Sequence, residues 1–469
     1  MLSYYKNNPP FEGFNSRLFF AGKDENWNMT KKPELLSPAG TLKAMRYALA
    51  YGADAVYGGQ PRYSLRVRNN EFNLARLAEG IDETHRLGKK FYIVANIIPH
   101  NNKLKNSIHD LKEMAALGPD ALIMSDPGLI MQAREALPDM PIHLSVQANT
   151  TNWASAEFWR RQGLARIILS RELALEEVAE IIDRVPEMEF EVFVHGAICM
   201  AYSGRCLLAG YFNRRDPNQG VCTNVCRWNF KAKPAVENDF GAIVPPEDFR
   251  EEAAVGLGPS SEGVFTIEES SRRPGEYMPV FEDQHGCYIL NSRDLRAVEH
   301  VPELVRLKVS SLKIEGRTKS YYYAARTTGI YRQAIDQAVA GNPFNPDFLR
   351  QLDGLANRGY TDGFLRRQPH QDYQNYEFSD SLFNQQRFVG ELTGETMGGL
   401  AEVVVKNRFE PGDSLELFTP QGQTFFTLEV VYDRKGRHMA AAPGDGHVVY
   451  VPVPEGYDPA FALLAKNLK

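Results

Sequence analysis

The chain has 469 residues, enough for two or three domains, and its 43% hydrophobic and 24% charged residues are ordinary for a globular protein. Its net charge of −6 argues against a molecule that binds polyanions over its whole surface. No apolar run reaches the roughly 20 residues of a membrane-spanning helix, so an integral membrane protein is not expected.

Residues 1–32 form a polar and aromatic N-terminal extension that includes the run Asn-Pro-Pro. This composition predicts either a disordered segment or a start codon assigned too early, since Met29 opens a run that could be the true start of translation. The extension lacks the apolar core of a secretory signal. We therefore expect a cytoplasmic protein, in which thiols stay reduced.

From Glu34 onward, short apolar runs alternate with amphipathic stretches. The apolar runs predict buried parallel strands at residues 34–39, 54–59, 91–97, 121–126, 142–147, 166–171, 191–196 and 311–316. The amphipathic stretches predict helices, among them 41–51, 73–87, 103–116, 152–162, 174–184 and 319–340. Eight such units predict an α/β fold, a (β/α)8 barrel within residues 33–384, with a doubly wound sheet as the alternative. A ninth candidate strand, 288–292, competes for a place in the barrel.

Polar residues follow most of the predicted strands. In a (β/α)8 barrel the carboxyl ends of the strands meet at one face, which carries the active site. The residues expected at this face are Asn96, Ser125, Asp126, Gln147, Arg171, Glu172, His195, Glu315 and Arg317. Each of them alone is more typical of a cap or a loop hydrogen bond, but together they would line one bowl.

A long insertion, residues 197–286, follows the seventh predicted strand and contains four of the five cysteines before the acidic stretch 233–283. The four are Cys199, Cys206, Cys222 and Cys226, and thiolates gathered this densely usually bind a metal. Their spacing, Cys-x6-Cys-x15-Cys-x3-Cys, lacks the paired knuckles of most zinc sites. It therefore favours an iron–sulfur cluster slightly over zinc, and buried cysteines without a metal are the third possibility.

Beyond residue 385 the pattern changes to short runs that alternate apolar and polar residues, separated by turns such as Glu-Pro-Gly-Asp. Residues 385–469 therefore predict a small antiparallel β-barrel. Small β-barrels often bind RNA, but this segment has no excess of basic residues, so a packing role is equally expected.

Several of these motifs resemble those of the collagenase-like "unassigned" peptidase family. They are Glu-Leu-Leu-Ser-Pro-Ala-Gly at 34–40, Glu-Val-Phe-Val-His-Gly-Ala-Ile-Cys at 191–199 with Gly-Arg-Cys at 204–206, and Ser-Leu-Lys-Ile-Glu-Gly-Arg at 311–317. The similarity covers roughly residues 30–465. One departure is Ala209, where the family signature has serine, so that serine is not essential to the motif. Residues 60–70 and 216–220 are most similar to the branch of the family that hydroxylates the wobble uridine of tRNA.

The resemblance implies a (β/α) barrel in which the four cysteines hold an iron–sulfur cluster of four irons. It also implies that the wobble uridine in the tRNA anticodon loop is converted to 5-hydroxyuridine, with prephenate rather than dioxygen as the source of oxygen.

Prephenate carries two carboxylates, so its site would need paired guanidinium groups. The candidates are Arg66, Arg68 and Arg317, with Arg171 as a weaker one. Lys313 and Glu315 would point the same way from one strand, either as an acid/base pair or as an ion pair that only fixes the strand. His195 is a candidate proton carrier or an ordinary polar core residue.

A basic stretch, residues 306–367, holds eleven Lys and Arg against five Asp and Glu and is a candidate RNA surface, or else a solvated helix face. The residues concerned are Lys319, Arg326, Arg332, Arg358, Arg366 and Arg367, interleaved with Tyr321–Tyr323, for which packing is the more common role. Arginines that flank the cysteines, such as Arg205, either offset the thiolate charge or contact phosphate.

Two other functions remain open. A peptidase would need a catalytic motif, but the sequence has no Gly-x-Ser-x-Gly elbow and no His-Glu-x-x-His, and a thiol peptidase would need a metal-free cysteine beside a base such as His195. A non-catalytic adaptor that binds tRNA is the second alternative.

Overall fold

The protein is described here by a computed structural model. It describes residues 31–65, 70–198, 293–357, 359–366 and 386–468, and within the insertion residues 202, 204–206, 218, 222, 225–227, 230–234, 236–237, 243–244, 264–269 and 277–281. Residues 1–30 of the N-terminal extension and the candidate strand 288–292 lie outside this part of the chain.

Eight parallel strands close into a barrel. They are β1 Glu34–Pro38, β2 Ala55–Gly58, β3 Lys90–Ala95, β4 Ala121–Met124, β5 Ile142–Leu144, β6 Arg166–Ile168, β7 Glu189–Ala197 and β8 Ser311–Ile314. Each strand pairs with the next along the chain, and β8 pairs in parallel with both β7 and β1, which closes the ring. The barrel is confirmed, and the doubly wound alternative is ruled out by this closure.

Helices surround the barrel: α1 Leu42–Ala50, α2 Leu74–Arg86, α3 Asn101–Ala115, α4 Pro127–Ala136, α5 Trp153–Arg161, α6 Leu175–Arg184, α7 Val301–Arg306, α8 Tyr321–Val339 and α9 Asp347–Asp353. Several begin at a side chain that accepts a hydrogen bond from the first turn, as Thr41, Asn73 and Asp126 do. Thr41 and Asp126 closely follow the ends of β1 and β4, so these two loops at the carboxyl face of the barrel are short.

A short strand outside the barrel extends the sheet at β7. Asp294–Arg296 pairs antiparallel with the end of β7 and parallel with Tyr360–Thr361. The β7–β8 pairing also contains an irregularity, since Lys313 lies opposite Phe193 whereas Ile314 lies opposite His195. This extra residue on β7 interrupts the alternation of its side chains between the two faces.

Within the insertion, Phe230–Pro234, Val264–Glu269 and Tyr277–Phe281 form a three-stranded antiparallel sheet. Val236–Glu237 pairs with Ile243–Val244.

The C-terminal domain is one antiparallel sheet. Its strands are β9 Gln386–Met397, β10 Leu400–Val405, β11 Ser414–Thr419, β12 Gly422–Thr427, β13 Val431–Tyr432, β14 His438–Met439, β15 Val448–Val451 and β16 Leu463–Asn467, in the order β12-β11-β16-β9-β10-β15-β13-β14. Alternate side chains of the sheet share one apolar core. The antiparallel β-domain predicted from the alternating pattern is confirmed.

The C-terminal sheet packs on the outer surface of α1 and α8. The Tyr51 hydroxyl donates to the carbonyls of Phe418 and Phe461 at 3.0 and 2.9 Å, and Arg326 of α8 forms a buried ion pair with Glu416 at 2.5 Å. No helix in the described part of the chain has both the length and the hydropathy to cross a bilayer.

Candidate active site

A polar cavity lies at the carboxyl ends of the barrel strands. Its lining comes from β2 to β8 and the residues that follow them: Tyr57, Leu65, Val94, Asn96, Ile123, Ser145, Val146, Gln147, Ile168, Arg171, Phe193, Lys313, Glu315 and Arg317. Three cationic side chains therefore face one carboxylate in a largely enclosed space. This composition suits a small molecule with more than one negative charge.

Two of the predicted arginines meet in this cavity. The Arg171 guanidinium lies over the ring of Phe193, 3.8 Å from its centroid, and Arg317 is buried and donates to the hydroxyl of Ser64. Stacking on an aromatic face restrains a guanidinium without using its N–H groups, so Arg171 keeps donors for a ligand.

Lys313 lies at the floor of the cavity, where it is 3% exposed. Its Nζ donates to Oε1 of Glu191 at 2.7 Å and lies 4.3 Å from the centroid of the Tyr57 ring. Glu315 lines the same cavity, and the hydroxyl of Tyr57 approaches its Oε2 at 3.4 Å. Lys313 and Glu315 therefore share the cavity as predicted, but the direct ionic partner of Lys313 is Glu191.

Glu191 connects the cavity to a buried ionic network deeper in the barrel. Its Oε2 accepts from Nη1 of Arg166 at 3.2 Å, and the same guanidinium binds Glu34 at 2.6 Å and Glu189 at 2.8 Å. Burial of charges is costly unless they are paired, so this network fixes each of its members in one position. Glu191 is fully buried. If it separated from Lys313, its carboxylate would stay in the protein interior without this compensating positive charge.

The environment of Lys313 favours proton transfer. Burial lowers the pKa of Lys313 below its ordinary value, and the ion pair with Glu191 opposes that shift. A lysine with a lowered pKa gives up and takes back a proton more readily near neutral pH than an exposed one does. The cavity thus combines anion-binding arginines with a group that can act in general acid–base chemistry.

His195 does not line the cavity. Its ring is packed among the rings of Tyr323, Tyr331 and Tyr360, with centroids 5.5–5.8 Å away, and its Nδ1 lies 3.4 Å from the hydroxyl of Tyr331. Burial first, then the charges of Arg296 and Lys319, lower the pKa of His195 to about 3. The irregularity in β7 explains this placement, because Phe193 faces the cavity while His195, two residues later, faces outward.

The part of the insertion that holds the four cysteines, residues 199–226, is called the cysteine segment, and it contacts the rim of the cavity at Gly204. This residue has φ +76°, and a Cβ there would lie 2.4 Å from the carbonyl oxygen of Gln147. A second attachment runs through Asn218, whose Nδ2 donates to the carbonyl of Cys206 at 3.0 Å and whose own carbonyl accepts from Ile98 N at 3.1 Å. The segment is therefore fastened to the ends of β3 and β5.

Three of the four cysteines lie within the described residues, where their sulfur atoms are not among the groups of three or more ligand atoms that lie within 4.8 Å of one another. Cys206, Cys222 and Cys226 are partly buried and are not in disulfide bonds, while Cys199 lies outside the described residues. Thiolates suit iron–sulfur clusters and zinc alike, so the donor set fits the group that the sequence predicts without choosing between the two. The identity of the metal thus stays a prediction.

We expect Gly204→Ala to displace the cysteine segment from the barrel. The new methyl group would overlap the Gln147 carbonyl, and an alanine at positive φ adds backbone strain. Metal content and activity should both fall about tenfold or more, given a strain and clash of roughly 1–3 kcal/mol. Metal analysis of the purified variant measures this.

Gly118→Ala is the matched control for that variant. Gly118 has φ +75° but no atom within 4 Å of a built Cβ, so it shares the strain without the clash. Equal metal loss in both variants would show that the contact with Gln147 is not what holds the cysteine segment.

Arg66 and Arg68 lie outside the described residues, but Leu65, which precedes them in sequence, is at the cavity. Leu65 lines the cavity, and its backbone N–H donates to Oδ1 of Asn96 at 3.3 Å. Asn70 donates to the carbonyl of Gly59 at 2.6 Å. The role of the two arginines in binding an anion stays a prediction.

The structure corrects part of the predicted RNA surface. Arg326 is 2% exposed and neutralised by Glu416, and Arg332 binds Asp54 and Asp336 at 2.8 Å each. Both arginines therefore have structural ion pairs. Glu416 and Asp54 are distant in sequence, whereas Asp336 lies one helical turn after Arg332. Tyr322 and Tyr323 are buried, as expected for packing.

The other members of that surface have mixed outcomes. Lys319 lies over the ring of Tyr323, at 5.5 Å, and Arg366 remains half-exposed beside Glu299 at 3.2 Å. Arg358 and Arg367 lie outside the described residues.

Sequence reasoning missed Glu191 and Arg166 as parts of the site. Both belong to predicted strands made up mainly of apolar residues. A charged residue in such a strand indicates that an oppositely charged side chain is buried beside it. Ser125 and Asp126, by contrast, bind backbone groups. The Ser125 hydroxyl donates to the carbonyl of Asn96 at 3.0 Å, and the Asp126 carboxylate accepts from the N–H of Leu129 at 2.8 Å.

Comparison with known proteins places these features in context. Residues 40–375 match Peptidase family U32, and residues 384–463 match the Peptidase family U32 C-terminal domain. The chain is 62% identical over 440 residues to a "tRNA hydroxylation protein P" of Escherichia coli K12, covering 93% of this chain and 97% of the relative. A protein of the same name from Haemophilus influenzae is 58% identical, covering 93% and 96%. A "23S rRNA 5-hydroxycytidine C2501 synthase" of Escherichia coli K12 is 27% identical, covering 85% of this chain and 54% of that protein.

Proposed function

The chain belongs to Peptidase family U32, and from this premise we propose that it is a tRNA modification enzyme of the cytoplasm that hydroxylates the wobble uridine to 5-hydroxyuridine. Its most similar relatives named above carry the name tRNA hydroxylation protein P and align over nearly their whole length. The family is thus named for peptidases, whereas these two relatives are named for tRNA hydroxylation.

One observation carries the proposal: a cavity with three cations is lined by Gln147, and Gln147 contacts the segment of the chain that contains the cysteines. Gly204 of that segment abuts Gln147, and Gln147 lines the cavity together with Arg171, Lys313 and Arg317. A co-substrate held by the cations would therefore lie on the side of the barrel to which the segment with the proposed metal ligands is attached. Such proximity is what a reaction between a small anion and a metal centre requires.

We propose prephenate as the small anion and source of oxygen. Its two carboxylates match the two guanidinium groups of Arg171 and Arg317 that line the cavity. Arg66 and Arg68, beside Leu65 of the cavity lining, are proposed to complete the site.

The cysteines Cys199, Cys206, Cys222 and Cys226 are proposed to hold an iron–sulfur cluster of four irons. Bound there, the cluster would supply Lewis-acid or electron-transfer chemistry. The protein residues have separate tasks. Hydroxylation oxidises uridine C5 by two electrons, which would pass to the carbon of prephenate whose C–O bond breaks. The proton released from C5 would be taken up by Glu315 or Lys313 and returned to that carbon, because these are the proton-transfer groups of the cavity.

Glu191 keeps Lys313 oriented toward the cavity through the 2.7 Å ion pair, and Arg166 keeps Glu191 in place in turn. This buried chain of charges is expensive to maintain, and a protein that only bound tRNA would gain nothing from it. The network therefore favours an enzyme over a non-catalytic adaptor.

The geometry also disfavours a peptidase. Ser145 lines the cavity, but none of the lining residues is a histidine. His195 is buried among tyrosines on the outer face of β7. A serine nucleophile is activated by a base that accepts its proton, whereas the hydroxyl oxygen of Ser145 accepts from Nδ2 of Asn96 at 3.2 Å and from Gln147 N at 3.3 Å.

Arg171→Gln should raise the KM for prephenate with little change in kcat. Loss of a charge-assisted contact costs about 1.5–3 kcal/mol, which is roughly a 10- to 150-fold change in binding. Arg184→Gln is the control, because Arg184 also lies over an aromatic ring, 5.0 Å from Trp153, but on a helix outside the cavity. Equal effects of the two substitutions would count against the site.

The direct test of the function is genetic. A bacterial strain without its own wobble-uridine hydroxylases is complemented with this chain, and its tRNA nucleosides are analysed by mass spectrometry. Restored 5-hydroxyuridine supports the proposal, whereas its continued absence from cells that contain the intact protein would overturn it.

A further inference from the structure

An exposed aromatic residue lies beside the cysteines. Tyr202 is 52% exposed, although it precedes Cys206 by only four residues and lies in the segment fastened to the barrel rim. Large aromatic side chains are mostly buried in globular proteins, and those left in water at a functional rim commonly bind a partner.

Tyr202 belongs to a tight turn that also presents a cation. The backbone N–H of Arg205 donates to the carbonyl of Tyr202 at 3.0 Å, and the Arg205 side chain is exposed. The two residues thus lie within one turn, at the lip of the cavity. An exposed aromatic ring and an exposed guanidinium on one turn are groups that proteins use to bind unpaired nucleotides.

The position of the turn relative to the cavity is fixed by Gly204. Its contact with Gln147 leaves no room for a Cβ, so the turn lies directly on a residue that lines the cavity. A nucleobase that enters the cavity must leave the stack of its neighbours, and the neighbour then needs a new surface on which to stack. The turn offers that surface next to the entrance.

We propose that the turn of residues 202–205 is a nucleobase platform: Tyr202 stacks on an unpaired base adjacent to the target uridine, and Arg205 contacts its phosphate. This inference rests on the proposed function, because it takes single-stranded tRNA as the substrate. It goes further in assigning the contact to two residues that are neither metal ligands nor part of the cavity.

Binding of a fluorescent anticodon stem-loop RNA, measured by anisotropy, tests the platform without catalysis. Tyr202→Ala should weaken binding of the stem-loop about 5- to 150-fold, the loss typical of one stacked base, while Tyr202→Trp retains it. A fully paired RNA of the same length should bind both variants equally, because it has no loop base to stack. Arg205→Gln should lower the affinity for the loop and reduce its dependence on salt.

Phe425→Ala is the matched control. Phe425 is also 52% exposed but lies on β12 of the C-terminal sheet, so its loss tests for nonspecific effects of removing a surface aromatic. Unchanged metal content in Tyr202→Ala shows that the cysteine segment is intact, and the retained binding of Tyr202→Trp guards against a folding defect.

The outcomes separate the two proposals. If the wild-type chain hydroxylates tRNA but Tyr202→Ala binds the stem-loop as tightly as wild type, the platform is wrong and the function stands. If Phe425→Ala weakens binding as much as Tyr202→Ala, the platform is also wrong. If the wild-type chain neither binds nor hydroxylates tRNA, both proposals fail.

Discussion

Cys222→Ala is expected to remove both the metal centre and the hydroxylation of tRNA. A cluster that loses one of four thiolate ligands is exposed to solvent and to loss of iron. The fall in activity should exceed the roughly 10- to 100-fold that follows from loss of an outer-shell partner. The measurements are iron content, the visible spectrum of protein purified without oxygen, and 5-hydroxyuridine in tRNA.

Cys287→Ala is the control for this prediction, because Cys287 lies outside the run of four cysteines in sequence. It should keep its colour and its activity. A wild-type protein that is colourless and loaded with zinc would remove the iron–sulfur cluster from the account. A Cys222→Ala variant with full activity would remove any role of the thiols in catalysis.

Lys313→Met is expected to abolish most of the catalytic rate and to destabilise the barrel. General acid–base groups contribute about 10²–10⁴-fold to kcat, so a loss of that size is expected. The fold should also lose about 3 kcal/mol, since breaking a buried ion pair leaves the Glu191 charge poorly compensated. Urea unfolding measures the second effect separately from the first.

The double variant Lys313→Met, Glu191→Gln separates chemistry from stability. With the carboxylate also neutralised, Arg166 still has Glu34 and Glu189, so part of the lost stability should return. The catalytic rate should remain low. If activity returned together with stability, Lys313 would be a structural residue, and Glu315 would be the base in the cavity.

The barrel could be predicted because its information is local. Runs such as 91–97 and 121–126 are apolar on both faces, which only a strand covered on both sides explains, and eight of them limit the topology strongly. The observed strands β3 and β4 begin and end within one or two residues of those runs. The cavity residues Arg171, Glu315 and Arg317 followed from the rule that strand ends meet at one face.

The rest depends on contacts between residues far apart in sequence. Lys313 pairs with Glu191, 122 positions earlier, and Arg326 with Glu416, 90 positions later, and neither spacing has a sequence signature. His195 lies at a predicted strand end and is therefore expected at the carboxyl face, but the irregularity beside Phe193 places its ring on the outer face of β7. The packing of Gly204 on Gln147 is likewise visible only in three dimensions.

The most direct test of the account follows the oxygen atom. Protein purified and reconstituted without oxygen is incubated with unmodified tRNA and with prephenate that carries an oxygen isotope in its ring hydroxyl, and the nucleosides are analysed by mass spectrometry. The account predicts 5-hydroxyuridine at the wobble position that contains the isotope and that fails to form when prephenate is omitted. Formation of unlabelled 5-hydroxyuridine only after air is admitted, or no hydroxylation by a protein with a full metal content, would contradict it.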